Sequence, residues 1–439
     1  MARKPRHPVI SDFEWQVADE QPAPSPPAPV EEVQAAGPRG LGRWLVLVAI
    51  LLALGAGGGW LYGEARQRTE AARRAAEAEI LGSHRLLLQA IAARDGELAT
   101  NLLSGRDRAW AAQQRARIEA GILLSEPGLG LVASGEEEAV SWLAPALDEA
   151  TVVTTQTMRF AGEDETGRLA RTWLYRRGQG GWLYAPPPDP AAYWGERRQQ
   201  RLERLSIQFP ARDEAVATHL ASAMEAALAQ ACATLACPDD LEMVVVLATQ
   251  PGNVELPALD ALDQLVLGRG ALYLPTPSLI GEPVDEAGFT LLARAYTRPL
   301  LVAALGRELW SWQCCNHAPL FEALLDAQLA QWRVQPWPLA QEHYQYLLER
   351  DFRLFEDALA SWYGQAFSPQ RDLAWLQAHA VVAFLLAENP GTDLGALAAE
   401  LNEVPSTWHW AFAFLGERIG DAELQGRWET FARRNAGEE

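Results

Sequence analysis

The sequence predicts an α+β fold in three parts: a single transmembrane helix, a domain of helices and antiparallel sheet, and a second α+β domain with a mainly helical C-terminal half. Three observations predict it. The segment from Trp44 to Tyr62 contains no charged residue. Segments rich in Val, Thr and aromatic residues, typical of strands, follow between residues 150 and 275. Apolar residues at helical spacing dominate the remainder. The 439 residues suffice for about three such parts.

The composition excludes some classes of partner and cofactor. The chain has 57 acidic and 37 basic residues and a formal net charge of −20. Nucleic-acid binding calls for a basic surface because phosphate contacts dominate the affinity, so no nucleic-acid partner is predicted. Seven His and four Cys are few for this length, and they form no CxxC or HExxH motif. No metal or other cofactor is predicted.

Residues 1–40 are predicted to be a disordered tail of Pro, Ala and acidic residues, and residues 41–63 a transmembrane helix in the lipid bilayer. The apolar segment is about 19 residues long, enough to cross a hydrocarbon layer of about 30 Å. Trp44, Trp60 and Tyr62 suit the aromatic belts at its two surfaces. The alternatives are a buried core helix and a cleaved signal peptide, and the polar tail before the segment argues against the latter.

The large C-terminal part is predicted to lie outside the cytoplasmic membrane. Four Arg directly after the span outnumber two before it, which alone favours an outside N-terminus. However, long domains translocate largely regardless of charge, and the short tail also contains Arg3, Lys4 and Arg6. Within the span, Gly55 and Gly59 form a GxxxG pattern that lets two helices approach, so a homodimer is a further prediction.

Residues 64–196 are predicted to form helices followed by an antiparallel meander. The predicted elements are helices at Glu64–Leu103 and Trp110–Ile118 and strands at Val152–Phe160, Arg171–Arg176 and Gly181–Tyr184. This order resembles the nuclear transport factor 2-like cone, in which helices close a curved sheet. The resemblance implies a small-molecule pocket or an adaptor. The polar residues that could line such a pocket, although surface roles are favoured for them, are His84, Arg94 and Asp95. A stalk-like spacer is the alternative for the front half, and Glu136–Glu138 is predicted to be solvated charge in a loop.

Residues 200–435 are predicted to be a second domain with an all-helical remainder. Its predicted strands are Leu205–Phe209, Leu241–Ala248 and Gly270–Pro275. Its predicted helices are Ala211–Ala231, Glu286–Trp312, Phe321–Trp332, His343–Tyr363, Asp372–Glu388 and Thr392–Leu401. This order resembles the MA-like gluzincin metallopeptidases. The resemblance is clearest in Trp375–Leu386, in Pro390 with Gly391, and in the segments Leu394–Leu401 and Trp408–Leu415.

In that family the long helix carries HExxH, because two His one turn apart bind zinc and the Glu between them activates water. The matching positions here are Arg294, Ala295 and Arg298, and Ala327 stands where the third ligand is expected. The resemblance therefore implies a domain without HExxH, without a zinc ligand and without a catalytic residue. If the cleft persists, the two guanidiniums suit a carboxylate, such as a peptide C-terminus. The alternative is an unrelated α+β domain with a solvated helix face. The acidic residues that could pair with these Arg internally are Glu286 and Asp326.

The Cys residues are Cys232, Cys237, Cys314 and Cys315. In an oxidising compartment their even number predicts two disulfides, with three connectivities open. Buried unpaired thiols are one alternative. A zinc site that adds His317 is another, although the spacing matches no standard ligand pattern.

These features together predict a single-pass protein of the cytoplasmic membrane with an inactive metallopeptidase-like domain. Its predicted role is to bind or scaffold a peptide or protein partner. The alternative from another class is a membrane-anchored hydrolase whose catalytic residues lie outside the recognised motif. A third interpretation is purely structural, with helices that organise a membrane assembly through Gly55 and Gly59.

Overall fold

A computed structural model describes residues 40–121, 123, 127–146, 148–235, 237–249, 271–309, 318–353, 371–403, 410–411, 415 and 420–438. The fold mixes helices with an antiparallel sheet, which confirms the broad α+β class. Several predictions lie outside the described residues. They concern the tail before Gly40, Gly270, the helix end up to Trp312, Cys314, Cys315, His317, the segment from residue 354 to Tyr363, and most of Trp408–Leu415.

The N-terminal helix α1 extends over Gly40–Ala93. Among the described residues, it is the one helix long and apolar enough to cross a membrane. The large apolar side chains of its first half are exposed, with Leu54 at 67% and Trp60 at 68% of their maximal area. Among the residues that the structure describes, nothing covers this surface, and its composition suits a lipid environment. The chain divides into two compact units, Met1–Thr69 and Glu70–Glu439, and the apolar segment belongs to the first.

In the second unit, helices pack on an antiparallel sheet. The elements are helices α2 (Gly96–Leu102) and α3 (Arg108–Glu119) and strands β1 (Leu131–Leu143), β2 (Glu149–Phe160), β3 (Thr166–Arg177) and β4 (Trp182–Tyr184). The strands pair antiparallel in the order β1-β2-β3-β4. The helices and the sheet share one hydrophobic core, which includes Ile80 and Leu87 of α1 and Trp173 of β3. The helix predicted over 64–103 is divided because Asp95 caps α2, accepting hydrogen bonds from the backbone amides of Glu97 and Leu98.

The loop predicted at Glu136–Glu138 is wrong, because these residues belong to β1. The backbone of Glu137 lies opposite Gln156 of β2, and Glu138 lies opposite Thr155. The pairing register shifts between Ala133 and Glu137. Glu has a low strand propensity, but the hydrogen bonds of a long antiparallel ladder override that preference, and the register shift marks a bulge.

A second sheet follows, of strands β5 (Arg197–Arg201), β6 (Leu205–Pro210), β7 (Met243–Ala248) and β8 (Leu272–Pro275). They lie side by side in that order, with β5 antiparallel to β6 and the pairs β6–β7 and β7–β8 parallel. Between the sheets in sequence lies the short helix α4 (Pro190–Trp194), and α5 (Glu214–Leu235) connects β6 to β7. A parallel pair requires such a crossover, which explains the Ala-rich helix between two apolar strands.

The remainder is helical in its described parts. The helices are α6 (Pro277–Ile280), α7 (Glu286–Ala303), α8 (Ala318–Gln331), α9 (Gln341–Glu349), α10 (Arg371–Glu388), α11 (Leu394–Glu403) and α12 (Asp421–Asn435). Asp285 caps α7 by accepting a hydrogen bond from the amide of Gly288. After Ala303 the chain continues as a π-helical turn, Ala304–Leu309.

Helix α7 lies directly against the first sheet. The two-residue strand β9 (Glu282–Pro283) pairs with β3, and Val284 N donates to Arg168 O at 3.0 Å. Two glycines permit this approach: a Cβ on Gly288 would lie 2.3 Å from Arg168 O, and one on Gly167 would lie 2.7 Å from Ala287 O. One continuous core therefore includes buried residues from both sheets and from the later helices. The boundary predicted at residues 196–200 marks the change of sheet within one compact unit.

Candidate functional site

Arg294 and Arg298 lie one helical turn apart on α7. Arg294 donates from both terminal nitrogens to the two carboxylate oxygens of Glu163, each at 2.5 Å, and from Nε to Val334 O at 2.8 Å. Its guanidinium also lies 4.6 Å from the ring centre of Phe160. Glu163 follows β2, so this ion pair connects α7 to the end of a strand of the first sheet.

Arg298 is also used internally. Its Nε donates to Gln335 Oε1 at 2.5 Å and one terminal nitrogen donates to Gly128 O at 3.1 Å. Burial lowers the pKa of Arg298, while the nearby Asp326 and Glu322 carboxylates raise it. A guanidinium starts from so high a pKa that it stays cationic at neutral pH.

These contacts correct two expectations about the arginines. Neither lies on a solvated helix face, since the Arg294 side chain is 18% exposed and Arg298 is also partly buried. The acidic partner of Arg294 is Glu163 rather than Glu286. Arg298 is connected to Asp326 through hydrogen bonds to and from Gln335. Sequence reasoning missed Glu163 because it lies 131 residues away, and no local spacing relates two residues that meet through tertiary packing.

A buried polar network extends from Arg298 to α10. Gln335 Nε2 donates to Asp326 Oδ1 at 2.6 Å, and Asp326 Oδ2 lies 2.9 Å from Nε2 of His379. The other ring nitrogen of His379 lies 2.8 Å from Trp375 O. Both partner atoms are oxygens, so both contacts are satisfied when each ring nitrogen carries a hydrogen. The network joins α7, α8 and α10.

A His hydrogen-bonded to an Asp, as in the His379–Asp326 pair, can act as a general base in enzymes. The surroundings of this pair, however, fit a structural role. His379 is fully buried, and its ring lies 4.1 Å from the ring of Trp375. Within the described residues, its two hydrogen-bond partners are the ones above, so no serine or cysteine nucleophile is in line with it. A catalytic base must reach a substrate proton, which this burial prevents.

The other two residues singled out in the sequence, Ala295 and Ala327, face the core. Ala295 is fully buried and Ala327 is 3% exposed. Between the arginines, Tyr296 donates its hydroxyl to Pro275 O at 2.5 Å, which ties α7 to β8. In the described part of the chain, no group of three or more His, Cys, Asp and Glu side chains is placed to hold a metal ion.

An open groove of about 810 Å³ lies between α9 and α10. Its aromatic walls are Tyr346, which is 39% exposed, and Trp375. The other lining residues in the described part of the chain are Glu342, His343, Arg350, Leu373 and Leu376. Trp375 links the groove to the buried network, because its ring stacks on His379. This groove was not predicted from the sequence. The signal in the sequence was one aromatic residue with charged neighbours on each of two predicted helices, Tyr346 on the first and Trp375 on the second.

The residues nominated for a pocket in the first sheet do not meet. His84 Nδ1 lies 2.7 Å from the hydroxyl of Tyr175, and its ring packs edge-on against Trp173. Asp95 is the exposed cap of α2, and Arg94 precedes it with a φ of 54°. His84 thus packs against the rings of Trp173 and Tyr175 in the core, and Arg94 and Asp95 lie at the ends of helices.

Cys232 and Cys237 form a disulfide with a Cα–Cα distance of 4.7 Å. It closes the C-terminal end of α5 onto the following turn. A zinc site that uses these two thiolates is incompatible with this bond. Cys314 and Cys315 lie outside the described residues.

Comparison with known proteins gives no match, either to a family model or to a curated protein.

Proposed function

We propose that the chain is a single-pass membrane protein whose large second unit binds or scaffolds a partner and does not hydrolyse peptides. One observation carries this proposal: Arg294 and Arg298 donate hydrogen bonds to side chains of the same chain. Arg294 binds Glu163, and Arg298 binds Gln335. In a gluzincin-like domain these positions would hold zinc, and here they stabilise packing. The proposed ancestry is a gluzincin-like domain that has lost its ligands.

Charge chemistry supports the loss of hydrolysis. A zinc ion needs neutral or anionic ligands with a free lone pair, and a guanidinium offers neither. Ala295 cannot move a proton, and Ala327 has no donor atom. All four positions are buried or largely buried, so a ligand could not enter without unpacking α7.

Two features support anchoring with the second unit on the outer side. The apolar half of α1 is exposed along its length. The Cys232–Cys237 disulfide suits an oxidising compartment such as a periplasm or an exterior, because cytosolic thiols are kept reduced. A Cβ on Gly55 or Gly59 would meet nothing within 4 Å, which leaves this face of the helix open to a second copy in a homodimer.

The groove between α9 and α10 supports the binding role. Peptide grooves combine aromatic walls with a few charged groups that fix orientation, and this one offers Tyr346 and Trp375 beside Arg350 and Glu342. The partner proposed for it is a peptide or a protein segment. The first sheet, proposed to be a cone of the nuclear transport factor 2 type, would serve as an adaptor because aromatic side chains pack in its core.

Hydrolysis is tested on the full chain purified in detergent. Zinc is measured by mass spectrometry, and a fluorogenic peptide library is incubated with and without a zinc chelator. We expect less than about a tenth of an equivalent of zinc, since a real site binds near stoichiometrically. Stoichiometric zinc together with chelator-sensitive cleavage would refute the proposal.

Binding is tested by selecting displayed peptides on the full chain in nanodiscs. Tyr346→Ala should remove binding of the selected peptides, because it deletes an aromatic wall of the groove. Trp142→Ala is the matched control, since Trp142 is an aromatic residue on β1 with 52% exposure. Equal binding to both variants would place the partner elsewhere.

Orientation is tested by protease added to intact spheroplasts, which should trim residues after 64 and spare the tail.

A further inference from the structure

A second pocket, of about 450 Å³, lies at one end of the first sheet. It is bounded by the loop between α2 and α3 and by the turn between β3 and β4. Arg106, Arg176 and Arg177 line it together with Ser104 and Gln179. We propose that this arginine pocket binds an anionic group of phosphate chemistry. The proposal is independent of the binding groove and of the lost peptidase centre.

The charge of the pocket contrasts with that of the chain. Acidic residues outnumber basic ones by 57 to 37 overall, yet the described lining contains three arginines and no carboxylate. Arg176 is partly neutralised by Glu149, whose Oε1 lies 2.5 Å away on β2. Within the described residues, Arg106 and Arg177 have no ion pair. Both arginines are exposed and line the same cavity, so a bound anion could pair with both and would lower any repulsion between them.

The backbone that holds these side chains is well fixed. Ser104 N donates to Tyr184 O at 2.8 Å, and Gly178 N donates to Gly181 O at 2.8 Å. Arg177 N donates to Asp148 O at 2.9 Å. A Cβ on Gly178 would lie 2.8 Å from Leu183 Cδ1, the end of a side chain that also lines the pocket, so the turn packs closely against it. The pocket is thus formed by strand ends and a tight turn, which suits a preorganised site.

The donor set favours phosphate. Guanidiniums present paired N–H groups that match two oxygens of a phosphate, and the Ser104 hydroxyl and the Gln179 amide add neutral donors. A cavity of this volume exceeds a bare phosphate and leaves room for a small attached group such as glycerol. The same chemistry occurs in soluble phosphate esters and in phospholipid headgroups.

The test uses the full chain in nanodiscs of zwitterionic phosphatidylcholine. Glycerol 3-phosphate and inorganic phosphate are titrated by calorimetry at constant ionic strength, with sodium chloride as the blank. We expect saturable binding, weakened at least about tenfold by the double change Arg106→Gln and Arg177→Gln, because two charge-assisted contacts are lost. The control Arg197→Gln with Arg433→Gln removes two exposed arginines elsewhere and should leave binding unchanged. Arg177→Lys should retain part of the affinity.

A second arm separates the two sources of phosphate. Thermal stability is compared in phosphatidylcholine nanodiscs and in nanodiscs that contain phosphatidylglycerol. A soluble ligand predicts saturable binding of glycerol 3-phosphate and no effect of phosphatidylglycerol. A headgroup ligand predicts stabilisation by phosphatidylglycerol that the Arg106→Gln, Arg177→Gln variant loses. If neither phosphate source gives an effect that depends on these two arginines, or if chloride gives the same effect, the proposal is overturned.

Discussion

Arg294 of α7 and Glu163, which follows β2, are joined by two parallel hydrogen bonds of 2.5 Å across 131 residues of sequence. The pair is four-fifths buried on each side. Bidentate geometry and burial make this ion pair stronger than a surface ion pair. Removing either partner would leave the other as an unpaired, largely buried charge, which destabilises the fold. The pair thus connects the first sheet to helix α7.

The first prediction concerns this pair. Arg294→Gln and Glu163→Gln should each lower the free energy of unfolding by about 2–3 kcal/mol, because each leaves a largely buried charge without its partner. The double variant should lose less than the sum of the two. Chemical denaturation of the full chain and a double-mutant cycle measure the coupling.

Arg201 and Glu242 provide the matched control. They are 2.7 Å apart but 72% and 42% exposed. Solvent screens such a pair, so the same cycle should give a coupling below about 1 kcal/mol. Equal couplings in the two cycles would show that the Arg294–Glu163 contact is no more than a surface pair.

The second prediction concerns the close approach of α7 to β3. Gly288→Ala should cost at least about 2 kcal/mol, because its Cβ would lie 2.3 Å from a backbone oxygen that cannot move away easily. Gly426→Ala in α12 is the control, since nothing lies within 4 Å of its Cβ. It should stabilise the protein by about 0.5–1 kcal/mol through helix propensity. A Gly288→Ala variant as stable as the parent would mean that α7 does not pack on β3 in this way.

Local patterns predicted much of the fold. The long apolar helix, α3, α5, β2 and β7 depend on composition and periodicity within a few turns or one strand, and these signals are readable in the sequence. Strand β1 was missed because its run of glutamates hides the alternation that marks a strand. It forms because β2 supplies a complete ladder beside it.

The site could be predicted only in part, for a related reason. The sequence identifies Arg294 and Arg298 as unable to hold zinc, because that depends on residue chemistry alone. Their partners Glu163 and Gln335, and the link from Asp326 to His379, arise from contacts between distant segments. A single sequence carries no spacing rule for such contacts.

The third prediction concerns the buried network. Asp326→Asn should destabilise the protein by about 1–3 kcal/mol, because an amide nitrogen would replace an oxygen that accepts hydrogen bonds from Gln335 or His379. Asp393→Asn is the control: Asp393 is exposed and caps α11 through Gly395 N, and Asn caps helices equally well. Thermal denaturation compares the two variants. No difference between them would contradict a stabilising role for the network.

The fourth prediction concerns the thiols. Cys232 and Cys237 should be oxidised in the purified protein, so a variant with Cys314→Ser and Cys315→Ser should show no free thiol under denaturant. Replacing Cys232 and Cys237 by Ser should lower stability by about 2 kcal/mol, the value expected for a short closed loop. Two reactive thiols in the first variant would contradict the disulfide and would weaken the argument for an outside location. That Cys314 and Cys315 are also oxidised stays a prediction, tested by counting free thiols in the unmodified chain under denaturant.

The fifth prediction concerns alkaline pH. Burial raises the pKa of Tyr344 above the ordinary value of 10.0. Below pH 10 the phenol is protonated in both the folded and the unfolded chain, so its contribution to stability is fully present. As the pH rises, the unfolded chain releases this proton first, and stability falls by up to about 1.4 kcal/mol per pH unit until the folded phenol also ionises. Tyr344→Phe keeps the edge contact with Phe431 and removes the proton, so its loss of stability above pH 10 should be shallower than that of the parent. Urea denaturation from pH 8 to pH 11 measures both curves, and the range from pH 8 to pH 9 serves as the internal control, where the gap between parent and variant should stay constant. Parallel curves over the whole range would mean that Tyr344 titrates alike in the folded and unfolded chain.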